Sequence, residues 1–158
     1  MITRVITRVL LLLVAMAVVP PALPDSEGPV VLVKASDGFD DVKENIVNAI
    51  TNRGLLTSGE LHVSEMLNRT GPDLGFEPPV YVKAESVEFC SALMSHKMTQ
   101  VDPVNLVICP FTIAVFIKTN EPEQVYVAFR RQSLAGPAEA VESEVNQLLQ
   151  EIVSEALE

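Results

Sequence analysis

Two cysteines and two histidines are the residues of this 158-residue chain whose types could do chemistry beyond packing and solvation. Cys90 and Cys109 lie on either side of His96, Met94 and Met98, and His62 stands apart, ahead of Val63-Ser64-Glu65. Thiolate and imidazole are the groups that copper, zinc and haem iron prefer, so Cys90, Met94, His96 and Cys109 form one candidate metal set, with His62 as a possible helper. The spacing matches no CxxC, CxxCH or HExxH pattern. No cofactor is therefore required by the sequence.

The same residues have plainer readings. A cysteine pair in an oxidising compartment tends to close into a disulfide, and a Cys90–Cys109 bridge would enclose a loop of roughly 18 residues, worth on the order of 3 kcal/mol in the chain-entropy account. The segment from Val87 to Met98 reads as a helix capped by Ser86, with Phe89, Leu93 and Met94 on its apolar face. On such a helix His96 lies about 240° around from Cys90, whereas Met94 and Met98 lie at about 40° and 80°. A stripe of cysteine and methionine is also ordinary core packing. His62 and His96 are ligand-binding candidates, but a lone histidine also serves as a helix cap or a solvated side chain. A hydrolase built on His62 is the catalytic alternative, and no GxSxG or comparable nucleophile pattern supports it. An enzyme is therefore less expected than a binding protein.

The elements that must position these residues follow from periodicity. Val30 to Ala35 reads as a strand. Phe39, Val42, Ile46, Ala49 and Ile50 recur at helical spacing, with Asp40 and Asp41 at the front and Gly54 at the end. Leu55 to Val63 reads as a strand and Ser64 to Asn68 as a short helix ended before Gly71-Pro72, with a proline-ordered loop to Pro79. Val80 to Ala84, Val104 to Val107 and Thr112 to Ile117 read as strands, the last forming a hairpin with Val125 to Phe129. Val141, Val145, Leu148, Ile152 and Ala156 mark a C-terminal amphipathic helix, expected to pack on the sheet or on a partner.

The first residues carry a different pattern. Arg4 and Arg8 precede an apolar run from Val9 to Val14, then Ala15-Met16-Ala17 and Pro20-Pro21. That order reads as a signal peptide over 1–22, cleaved after Ala17 or Ala22, and residues 23–29 read as a linker. The apolar run to Val19 is shorter than the ~20 residues a spanning helix needs, so no stable membrane insertion is expected after cleavage. A periplasmic or secreted location follows. The chain carries a formal charge of −10, and losing the leader removes two arginines and no acid. Such a surface argues against nucleic acid and anionic lipid, which require positive charge.

The order strand, helix ending Thr51-Asn52-Arg53-Gly54-Leu55, strand ending Glu60-Leu61-His62, short helix, strand, helix and closing strand Val125-Tyr126-Val127-Ala128-Phe129 resembles the family called domain of unknown function 302. The resemblance runs from about Val30 to Arg130. It implies a compact α+β domain that tends to dimerise, and it implies no established activity. The expectation is therefore a two-layer α+β domain over 30–131 with a mixed or antiparallel sheet, followed by a helix over 132–158. It would act as an exported, homodimeric module binding a small ligand, a metal or a protein. The alternative is a periplasmic redox or metal- and haem-handling protein that uses Cys90 and Cys109 with the nearby His and Met residues.

Overall fold

The computed structural model describes residues 28–158. The expected signal peptide, and the expected linker up to residue 27, lie outside the described residues. Five strands form one antiparallel sheet: β1 (Val30–Ala35), β2 (Leu56–Leu61), β3 (Tyr81–Cys90), β4 (Phe111–Lys118) and β5 (Val125–Arg130), in the order β1-β5-β4-β3-β2. Helices α1 (Phe39–Asn52), α2 (Val63–Leu74), α3 (Ala92–Val101) and α4 (Glu139–Ala156) and a 3-10 helix (Pro103–Ile108) complete an α+β fold. The sheet is antiparallel throughout its pairings.

Alternation along the strands decides which face is buried. Val31, Val33 and Ala35 of β1, Val125, Val127 and Phe129 of β5, Phe111, Ile113 and Val115 of β4, and Val87 and Phe89 of β3 all point into one core. Against them α1 sets Phe39, Val42, Ile46, Ala49 and Ile50, the five positions that its three-and-four spacing marks. Asp40 and Asp41 occupy its first turn, where the helix dipole favours acids. Gly54 follows its end at φ 70°, a left-handed conformation that glycine adopts without a Cβ penalty.

The C-terminal helix belongs to this same core. Val145, Leu149, Ile152, Val153 and Ala156 of α4 are buried, and Val141 and Leu148 pack at the margin. Arg53, at the end of α1, pairs with Glu155 of α4. The apolar stripe of α4 is thus satisfied within the chain, and it is not the partner surface that its pattern also allowed.

Four elements differ from the sequence expectations. The stretch read as a strand to Ala84 and a helix from Val87 is one ten-residue strand, β3, and Ser86 lies mid-strand opposite Leu61 and Ala114. Glu85, Val87 and Phe89 alternate with Ala84, Ser86 and Glu88, and pairing to strands on both sides overrides the four-residue spacing of Phe89 and Leu93. Helix α3 therefore begins at Ala92, capped by Ser91, whose hydroxyl accepts from the Met94 amide. The stretch Val104–Val107, read as a strand, is 3-10 helical: Pro103 sits at its first turn, and the Asp102 carboxylate accepts from the Val104 amide. Buried Asn105 anchors this segment by donating to the carbonyls of Met98 and Ala135 and accepting from the Ala135 amide.

Helix α2 is longer than expected and runs through Gly71-Pro72 to Leu74. A Cβ at Gly71 would stand 2.8 Å from the Phe76 carbonyl oxygen, whose own amide donates to the Gly71 carbonyl. Glycine is required there because the chain folds back directly over it. Where the β2 ladder stops at Leu61–Ser86, the Ser64 hydroxyl takes over, accepting from the Ala84 amide and donating to the Ala84 carbonyl. One serine thus joins the start of α2 to the edge of β3.

Candidate functional site

The structure divides the sequence-marked residues between two places. Cys90 is the last residue of β3, and Cys109 lies two residues before Phe111, the β4 residue that pairs with Phe89. The turn back into the sheet brings Cys109 alongside the end of β3, next to Cys90. The Ser95 hydroxyl of α3 lies 3.1 Å from Cys109 Sγ. Cys90 is exposed and Cys109 partly so, and both are free thiols. Desolvation, then the neighbouring Cys109 and then Glu88 push the Cys90 thiol above its usual range, which makes the neutral thiol its resting form.

Because Cys90 is on a strand, the helical-wheel argument linking it to Met94 and Met98 does not apply. Met98 is fully buried in the core and Met94 packs at its margin. His96 is exposed on α3. Among the described residues no three His, Cys, Asp or Glu side chains gather around a common point that could hold a metal.

His62 lies elsewhere, at the N-cap of α2, where its side chain makes no capping bond. Its Nδ1 is 3.5 Å from Glu85 on β3, a residue only 8% exposed. Glu85 accepts from Lys43 Nζ of α1 at 2.7 Å, and Lys83 Nζ stands 3.7 Å away. Lys43 also reaches Glu60 at 3.2 Å, and Lys83 binds Asp40 at 2.7 Å while lying over the Phe39 ring. Burial alone would raise the Glu85 carboxyl, but the Lys43 hydrogen bond and the charges of Lys43, Lys83 and His62 together hold it below its usual range. The Glu85 bond correspondingly raises Lys43. This is a tightly paired charge network that fastens α1 to β2 and β3.

A third place carries none of the residues marked from sequence. Helix α2 and the returning segment 75–81 enclose a groove of about 530 Å³. Met66, Leu67, Phe76, Pro79, Val80 and Tyr81 give it a mainly apolar wall. Its polar groups are few, namely Asn68, Thr70, Glu77 and Tyr81, and the Thr70 hydroxyl already donates to the Met66 carbonyl. Glu77 is its one charged lining residue. The volume lies within the roughly 300–1,000 Å³ range of ligand pockets, and the lining is mainly apolar. The signal in the sequence is the density of large apolar residues around Pro72, Pro78 and Pro79, which reads as a loop until Phe76 is seen folded over Gly71.

The comparisons with known proteins bear on the fold. No curated protein matches the chain. An uncharacterized conserved DUF302 protein from Bacillus stearothermophilus, known from a crystal structure, superimposes with a TM-score of 0.54 at 14% identity, covering 79% of this chain and 87% of that one. At that identity the likeness shows a shared fold. Residues 31–156, which run from β1 to the end of helix α4, match the family described as domain of unknown function DUF302, and the chain belongs to that family.

Proposed function

We propose that this chain is an exported binding module whose ligand is a small, largely apolar molecule, neutral or positively charged, held in the groove between α2 and residues 75–81. The groove carries this reading: about 530 Å³ with an apolar wall is a volume that suits a compact organic ligand. The sign of the ligand's charge follows from the lining, which offers Glu77 and no lysine or arginine, on a chain of formal charge −10. An anionic amphiphile would meet repulsion there. Export rests on the order of Arg4, Arg8, the apolar run and Ala15-Met16-Ala17.

The module is read as a homodimer. With α4 committed to the core, the surface offered for self-association is the sheet face opposite α1 and α4, where exposed Leu32 and half-buried Ala128 and Ala114 stand side by side across three strands. Sedimentation of the wild type and Leu32→Lys tests this, with a dimer expected to become a monomer. A wild type that sediments as a monomer overturns it.

Titration with a neutral apolar fluorophore tests the ligand reading, with an anionic fluorophore of similar size as the comparison. The neutral probe is expected to saturate one site per chain and to lose most of its binding in Leu67→Trp, which fills the groove. Equal binding of both probes, or no effect of Leu67→Trp, contradicts the reading.

A further inference from the structure

We propose that Cys90 and Cys109 are an exchange-active pair that closes into an intramolecular disulfide by reaction with an external disulfide, pinning α3 and the 3-10 helix to the sheet. Three features of the structure converge. The β3–β4 register, with Phe89 opposite Phe111, brings Cys90 alongside Cys109 where the chain re-enters the sheet. They differ in access, Cys90 being exposed and Cys109 partly covered. The Ser95 hydroxyl lies 3.1 Å from Cys109 Sγ, where it can donate to a thiolate at that position.

The chemistry runs in two displacements. Cys90 loses its proton to solvent and attacks one sulfur of a small-molecule or protein disulfide, RSSR. A mixed disulfide forms at Cys90, and one RS⁻ leaves and takes up a proton. Cys109 then loses its proton to solvent and attacks Cys90 Sγ. The Cys90–Cys109 bond forms, and the second RS⁻ leaves and is protonated. Two protein thiols are oxidised and one external disulfide is reduced to two thiols.

The consequence is local. The residues between the two cysteines hold all of α3 and the 3-10 helix, whose Val104, Leu106 and Val107 are 55, 68 and 78% exposed and so add little burial of their own. Asn105 and the packing of Met98 are their main internal anchors. A bridge at the base of this insertion fastens both of its ends to the β3–β4 pair.

The test treats the full chain with oxidised glutathione and follows it by mass spectrometry and thiol counting after denaturation. The wild type is expected to lose two hydrogens and both titratable thiols without a lasting adduct. Cys109→Ser is expected to stop at a glutathione adduct on Cys90, and Cys90→Ser to react several-fold more slowly than Cys109→Ser, because Cys109 is the less accessible sulfur. Ser95→Ala is expected to prolong the mixed disulfide in the wild-type pair. Hydrogen exchange across residues 92–108 is expected to slow on oxidation. A wild type that stops at the Cys90 adduct, or that links two chains through sulfur, overturns the proposal. Unchanged exchange in 92–108 after the bridge has formed overturns its structural consequence.

Discussion

Glu85 on β3 and Lys43 on α1 meet at 2.7 Å at the margin of the core, 42 positions apart in the chain. The carboxylate is buried, and Lys43 makes the strongest favourable contact among Lys43, Lys83 and His62 around it. Removing only the lysine leaves a buried charge under-compensated. Lys43→Met should therefore lower stability by about 1–3 kcal/mol, since Lys83 and His62 remain as partial partners. The double change Lys43→Met with Glu85→Leu should recover to within about 1 kcal/mol of wild type. Urea unfolding of the three proteins measures both outcomes.

The same carboxylate sets the direction of the acid response. Glu85 has a folded pKa below its ordinary 4.5, so in that window the unfolded chain binds more protons than the folded one. Its stabilising contribution is complete above 4.5 and is lost as the pH falls through the lower folded value. Asp40 and Glu155 are shifted in the same direction by Lys83 and Arg53, but both are exposed and screened and add little. Melting temperature should thus hold on the neutral side and fall below about pH 4.5. In Glu85→Gln the acid decline should be shallower than in wild type.

Gly71→Ala should cost about 1–3 kcal/mol, because the new Cβ meets backbone at 2.8 Å and something must shift. The shift would move Phe76 and reshape the groove. Thermal unfolding and probe binding should therefore change together, whereas Leu67→Trp should remove binding with the fold retained.

Asn105→Ala should cost about 1–3 kcal/mol, since it strands the Met98 and Ala135 groups that the side chain now satisfies. Proteolysis and hydrogen exchange should show the loss concentrated in residues 92–108. If Cys90 and Cys109 bridge, oxidation should offset much of it.

What could be read in the sequence depended on how local the deciding interaction is. The α1 face from Phe39 to Ile50 was legible because helical spacing, acidic first turn and terminal glycine all agree within one short segment. The β4–β5 hairpin was legible for the same reason. Ser86 was misread as a cap because nothing local distinguishes it from Ser91; the difference lies in Leu61 and Ala114, its partners in the sheet. That error also placed Cys90 on a helix with Met94. The two cysteines were marked from the sequence, but their place at the end of β3 and the entry to β4 depended on the sheet register. The charge network around His62 was not legible, since Glu85 draws its partners from α1 and from the end of β2. The groove was hidden for a different reason: Met66, Leu67, Phe76 and Val80 look like a proline-rich connection unless the backbone is known to fold over Gly71.

The most direct measurement of the central claim is an amide-resolved NMR titration of the chain with a neutral apolar probe. Shifts should gather at Met66, Leu67, Thr70, Phe76 and Tyr81, saturate at one probe per chain, and vanish in Leu67→Trp. Shifts confined to Leu32, Ala114 and Ala128, or no saturable shifts at all, would contradict the assignment of the α2 groove as the binding site.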